Sequence, residues 1–245
     1  MNDVFTIKEF EKKNRKKNHV IFICDHASNY IPKKYNLLGL KKSDAFSHIA
    51  YDIGAKDFCI ELTKHINQSC YLSNFSRLLI DPNRPENSKE LILSTSDNIK
   101  IPRNEEIGFK ERNYRLKTFH QKYHFNLKKF INEKKKKYNN VYLVAIHSFT
   151  KKIGKIQRGI EIGLLWNKNM NLLIPIQKQL TNNSIFYGRN FPYSGFHLNY
   201  TLDRHSKNGK IDNICIEFRN DLICSKKRIK KYTEMFTNIF SLLLK

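Results

Sequence analysis

No apolar run in this chain approaches the roughly 18 residues that a membrane-spanning helix requires. Residues 1–10 are charged and lack the long apolar segment of a signal peptide. A membrane partner is therefore not expected, and cytoplasm is the expected compartment. Cysteine offers no framework either. Cys24, Cys59, Cys70, Cys215 and Cys224 are odd in number and contain no Cys-x-x-Cys pair. They read as reduced core thiols, not as disulfides or metal ligands. Acidic residues are scarce, with 22 Asp and Glu against 45 Lys and Arg, a net charge of +23. That excess would ordinarily point to nucleic acid. Its texture argues otherwise, because lysine dominates and rises together with asparagine and isoleucine, as an A/T-rich coding bias would produce. The lysine run at 134–137 closes a helical pattern and is expected to be a solvated end. No specific nucleic-acid partner is expected, only loose electrostatic binding at low salt. A non-enzymatic basic nucleic-acid-binding protein is the competing class.

The chain has 245 residues, 40% hydrophobic and 12% aromatic, enough to bury a sizeable core. No internal repeat or linker divides it. The expected organisation is an N-terminal arm over 1–18, helical or loose, then one α/β domain over 19–245.

Three short apolar segments organise the reading. Residues 19–24 form a strand that ends in Asp25 and His26. A second strand, 141–146, delivers His147, and a third, 214–218, carries Glu217. Further extended candidates are 70–75, 77–80 and 162–166. Helical spacing appears over 52–66, 111–136, 168–181 (with Pro175 near its start) and 226–243. Strands alternating with helices predict a three-layer α/β sandwich with a mixed central sheet. Open sheets of this kind place their sites at the carboxyl ends of strands. Two imidazoles can hold a zinc ion and a nearby carboxylate can activate water, so His26, His147 and Glu217 suit a metal hydrolase. The bland alternative is three buried strands that end in unrelated polar residues.

Asp52 opens the helix at 52–66 and either caps it or points at the site. His120 and His124 share a helix face. A zincin motif needs Glu after the first histidine, and residue 121 is Gln. His124, on the buried side with Tyr123, is the one expected to approach the site; otherwise both are surface imidazoles. Arg77 and Arg84 flank a break that contains Asp81, which could fix an arginine. A guanidinium fork matches a carboxylate, which suggests an acidic small-molecule substrate; structural Arg–Asp pairs are the alternative. The polar stretch 86–110 is long for a connection and is expected to border the pocket, as a lid or as a surface insertion. Residues 150–160 read as a basic loop, and 189–210 as loop or site wall.

The stretch from Cys24 to Pro32, with Asp-His-Ala-Ser-Asn inside it, resembles the opening motif of the N-formylglutamate amidohydrolase family. Similar blocks follow in order: 48–55, 76–85 with Asp81, Asn83 and Arg84, and 145–150 with His147. Blocks at 162–167, 190–195 and 216–223 complete the series. The resemblance covers roughly residues 20 to 225. It implies an eight-stranded-like mixed sheet related to zinc carboxypeptidases, and hydrolysis of an amide beside an acidic residue, with formate and glutamate as products. It also implies zinc on His26 and His147, Glu217 as general base, and Asn83 with Arg84 holding a substrate carboxylate, assisted by Arg77 or Arg219. Where carboxypeptidases carry a ligating glutamate, this chain has Asn29, a poor zinc anchor, so Asp52 is the preferred third ligand. The opening motif departs from the Pro-His-Ser-Gly of the better-characterised members. That keeps other N-acyl acidic substrates open, and a cell-wall or peptide amidase.

Overall fold

The structure is a computed structural model that describes residues 3–11 and 17–244. Its frame is a seven-stranded mixed sheet. The strands are β1 (Phe5–Glu9), β2 (Asn18–Cys24), β3 (Ser69–Ser73), β4 (Asn140–Phe149), β5 (Ile162–Leu165), β6 (Tyr187–Arg189) and β7 (Asn213–Arg219). They lie in the order β1-β3-β2-β4-β7-β5-β6. The four central strands β3, β2, β4 and β7 run parallel. β1 is antiparallel to β3, and β5 is antiparallel to β7. The sheet has one strand fewer than the eight implied by the resemblance, among the described residues.

Side chains alternate between two cores, as a strand buried on both faces requires. From β2, Ile21 and Ile23 enter one core while Val20, Phe22 and Cys24 enter the other. Phe119, Tyr123, Leu127 and Phe130 cover the first face. They project from one continuous helical rod, made of a helix over Phe109–Arg115, a π-wound turn (Leu116–Gln121) and a helix over Lys122–Lys137. On the second face lie α1 (Ala55–His65), α2 (Leu173–Asn182) and α3 (Lys226–Leu243), with Phe58, Ile176, Phe236 and Phe240 buried. The layered α/β expectation therefore holds.

Three expectations need correction. Residues 5–9 are an edge strand paired with β3 in register Phe5 to Ser73, not a helical or loose arm. Residues 12–16 of that predicted arm lie outside the described residues. The lysine run is not wholly solvated: Lys134 is buried and ion-paired with Glu9 and Glu11. The apolar run 77–80 is not a strand. Leu78, Leu79 and Ile80 are buried in a turn in which Leu79 N–H donates to the Ser76 carbonyl. Core burial, not strand pairing, accounts for its apolarity.

The 86–110 segment is also more ordered than its polarity suggests. It carries a hairpin (Thr95–Ser96 with Ile99–Lys100) and a short helix (Pro102–Glu105). Leu91, Ile101 and Asn104 are buried. Asn104 donates to the Leu78 and Leu93 carbonyls and accepts from Arg115 at 2.7 Å. That anchoring argues against motion of the whole segment as one lid. All five cysteines are free, four of them buried. No helix among the described residues is long and apolar enough to cross a membrane.

Candidate active site

The site forms where the central parallel strands end. β2 runs out at Cys24 and leaves Asp25 and His26 beyond its carboxyl end. β4 and β7 are neighbours in parallel register, and His147 lies directly opposite Glu217. On the other side of β7, Gly163 pairs with Glu217. A Cβ at Gly163 would stand 2.6 Å from the Phe191 carbonyl and 3.2 Å from the Glu217 Cβ, so only glycine admits both.

Asp52 reaches the same place from the turn before α1. Its backbone N–H donates to the His26 carbonyl at 3.0 Å. Gly54 adopts φ 81° in this turn, and a Cβ there would meet the Ile223 carbonyl at 2.1 Å. The turn frees the Asp52 carboxylate from capping duty. It accepts instead from His147 Nδ1 at 2.8 Å and from Ser148 N–H at 3.1 Å.

His26, Asp52 and His147 thus converge, with one donor atom of each within 4.8 Å of the others. The two imidazole rings stand 4.8 Å apart, centre to centre. His26 donates from Nε2 to Asp81 at 2.8 Å, and its Nδ1 is buried without a hydrogen-bond partner, 3.4 Å from Asp52. His147 Nε2 is likewise unpartnered, 3.4 Å from Asp25 Oδ2. His147 hydrogen-bonds Asp52 within the cluster and turns its free Nε2 toward Asp25, whereas His26 donates to a carboxylate outside the cluster, Asp81. Metal-ligating imidazoles are oriented in this way. Buried, under-satisfied nitrogens beside a carboxylate fit a divalent cation. Asn29 does not join them; its amide donates to the Ala45 carbonyl.

Electrostatics follow from burial and pairing. Burial penalises the Asp52 carboxylate, but His26 and His147 outweigh it and hold the group well below the usual range. Asp81 is held low in the same way, against burial, by His26 and Arg77. Burial alone would lower His147; the Asp25 and Asp52 contacts raise it instead. Glu217 has no such support. Burial pushes its carboxyl up to about 7, His147 opposes this, and Oε2 is unpartnered.

His26, Asp52, His147 and Glu217 line a cavity of about 220 Å³ with Arg77, Asn83, Arg84, Ser148, Tyr193 and Leu198. Arg84 reaches it while its Nε donates to the exposed Glu90 at 2.8 Å. Arg77 binds Asp81 at 2.9 Å, and its other nitrogen stands 3.6 Å from Asp52. The structural Arg–Asp pair and the site arginine are therefore one residue. Asn83 lines the cavity, but its amide donates to the Leu198 carbonyl and accepts from Thr201 N–H. It ties the 198–201 backbone to the cavity wall.

Two predicted residues are not brought to the cavity. Arg219 is clamped on Asp221 through two nitrogens, at 2.6 and 3.2 Å. His124 lines a separate cavity, where it donates to the Pro82 carbonyl and is hydrogen-bonded to His205. With His120, which donates to the Arg84 carbonyl, it supports the backbone that presents Arg84. Burial and neighbouring positive charge keep His124 neutral.

The sequence reading missed Asp25, Ser148, Tyr193 and Arg158. Asp25 is fully buried and accepts from Tyr123 and Thr201 hydroxyls, both at 2.9 Å. Its place beside His26 in the opening motif was the available signal. Tyr193 lies in the stretch expected to be site wall. Nothing in the basic loop distinguished Arg158 from its lysines.

The sequence pattern of the family described as N-formylglutamate amidohydrolase matches residues 18–224. No curated protein is similar enough to match the chain. Among solved structures, the gene product Atu2144 from Agrobacterium tumefaciens is 28% identical, with a TM-score of 0.91 over 98% of this chain and 94% of that one. The N-formylglutamate amidohydrolase from Ralstonia eutropha JMP134 shares the fold, with a TM-score of 0.73 at 15% identity over 96% of this chain and 94% of that one. The matched segment contains every strand that carries His26, His147 and Glu217, and on that extent of agreement the chain belongs to the N-formylglutamate amidohydrolase family.

Proposed function

We propose that the protein is a zinc-dependent amidohydrolase that cleaves the amide of a small acidic N-acyl compound, N-formyl-L-glutamate foremost, to formate and L-glutamate. The observation that carries this reading is the convergence of His26, Asp52, His147 and the unpaired Glu217 on one small cavity that Arg84 also lines. His26, Asp52 and His147 would hold the metal. Bound there, zinc supplies Lewis acidity, polarising a carbonyl and making water a better nucleophile at neutral pH.

The chain's own groups do the rest. A carboxylate whose proton affinity is raised toward neutrality by burial suits a general base. Glu217 takes a proton from the attacking water as its oxygen bonds to the formyl carbon. When the carbon–nitrogen bond breaks, Glu217 delivers that proton to the leaving amine. Arg84 holds the substrate carboxylate, and the 198–201 backbone tied to Asn83 shapes the wall opposite. Asp81 keeps the His26 imidazole in place through each cycle.

A substrate panel tests this reading. Hydrolysis, read as release of the free amine, should be fastest from N-formylglutamate with zinc added, slower from N-acetylglutamate, and slowest from uncharged N-formyl amides. Faster cleavage of peptides than of any N-formyl amino acid would favour the peptide-amidase reading instead.

A further inference from the structure

Beside the candidate active-site cavity lies a second chamber of about 270 Å³, which shares Asp52, Arg77, Ser148 and Tyr193 as lining but contains none of His26, Asn83, Arg84 or Glu217. Arg158 sits in its wall, only 6% exposed. It stacks its guanidinium on Phe149 and Tyr193, with distances of 5.3 and 5.0 Å to the ring centres. Its Nη2 donates to the Tyr193 hydroxyl at 2.9 Å, and its Nη1 makes a longer bond of 3.3 Å to the Thr150 carbonyl.

No carboxylate pairs with it. Among the described residues, Arg77, Arg84, Arg115 and Arg219 each have an acidic partner within 4.0 Å, whereas buried Arg158 has only neutral oxygens. The other charged groups of the chamber do not supply one. Asp97 is engaged by His48 at 3.1 Å, Asp52 belongs to the histidine cluster, and Lys152 is exposed. A buried guanidinium without a counter-ion is costly, and a rigid fork held against two aromatic rings is shaped to receive a carboxylate.

We propose that Arg158 is a second anion anchor, which takes one carboxylate of a dicarboxylic substrate while Arg84 takes the other. This rests on the hydrolase reading above and narrows its substrate to compounds with two carboxylates spanning both chambers.

Binding is measured by calorimetry on the zinc-loaded protein, with glutarate as the dianion and glutaramate, its half-amide, as the monoanion. The wild type should bind glutarate more tightly. Arg158→Ala should weaken glutarate by about tenfold to a hundredfold, the range for a charge-assisted hydrogen bond, and glutaramate by much less. Tyr193→Phe removes the hydroxyl that Arg158 holds and separates anchoring from propping. If Arg158 only positions Tyr193, Tyr193→Phe reproduces the glutarate loss and the proposal fails. Equal weakening of both ligands, no weakening, or no glutarate binding to the wild type would also overturn it. Should Arg158→Ala not fold, Arg158→Lys keeps the charge without the fork, and the same selective loss is required of it. Turnover of N-formylglutamate is read separately: a wild type that discriminates the two ligands but releases no formate keeps the anchor and loses the hydrolase reading.

Discussion

His26 gives its Nε2 proton to Asp81 at 2.8 Å, and Asp81 is itself fixed by Arg77 at 2.9 Å and by the Asn83 backbone N–H at 2.8 Å. One carboxylate therefore orients a metal-candidate imidazole, a cavity arginine and the turn that presents Arg84. Asp81→Asn keeps the size and loses the charge. It should weaken zinc affinity by about 10- to 100-fold, as loss of a carboxylate behind a ligand histidine does. Competition with a chromogenic chelator measures this, and unchanged affinity would make Asp81 a purely structural clamp.

Glu217→Gln should retain bound metal and lose turnover by about 10²-fold or more, the contribution of a positioned general base. Elemental analysis of dialysed protein and formate release, run on one preparation, check both halves. Near-normal turnover would remove Glu217 from the base role. His26→Ala should show the opposite pattern, losing the metal itself.

Gly54→Ala tests the turn that frees Asp52. With φ at 81° and a carbonyl 2.1 Å from the added Cβ, the substitution combines backbone strain with a clash. It should cost about 2 kcal/mol or more in denaturant unfolding, above the usual strain of a left-handed non-glycine residue. Zinc affinity should fall as well, because Asp52 lies two residues earlier. A variant as stable as the wild type would mean that the Ile223 backbone yields readily.

Acid should destabilise the protein through histidines outside the site. His19 is fully buried against Ser69 and stacked on Tyr138, and burial, helped by Lys134 and Lys137, lowers its pKa to about 3. The unfolded chain binds this proton at about 6.5 and the folded chain only near 3, so stability is present above pH 6.5 and is lost as pH falls toward 3. The slope approaches about 1.4 kcal/mol per pH unit per such group. His205, lowered by burial to about 4, adds to it. Denaturant unfolding at pH 7.5, 6 and 5 reads the slope, and His19→Gln should flatten it. An identical slope in that variant would assign the acid sensitivity elsewhere.

The strands that carry the candidate site residues were legible because each is a short apolar run ending in a polar residue. The helix at Lys226–Leu243 was legible because its apolar spacing is regular. β1 was not, because its residues are only half-buried at a sheet edge and alternate weakly. The 86–110 segment hid its anchors, since Asn104 holds the core through polar bonds that hydrophobic periodicity cannot register. At the site, His26, His147, Asp52, Arg84 and Glu217 could be named because the chemistry demands their types. Arg219 misled because its neighbour at 221, a carboxylate two residues on, captures it. His124 misled because a buried face of a helix does not say which cavity lies beyond it. Asp25 and Arg158 depend on contacts across long sequence separations, which no local pattern records.

The most direct test of the central claim is a zinc titration of metal-stripped protein, with formate release from N-formyl-L-glutamate as the readout. The arrangement of His26, Asp52 and His147 predicts no release without metal, a rise that saturates at one zinc per chain, and no rise in His147→Ala at any zinc concentration. Formate release that persists in the stripped protein, or that rises equally in His147→Ala, would contradict it.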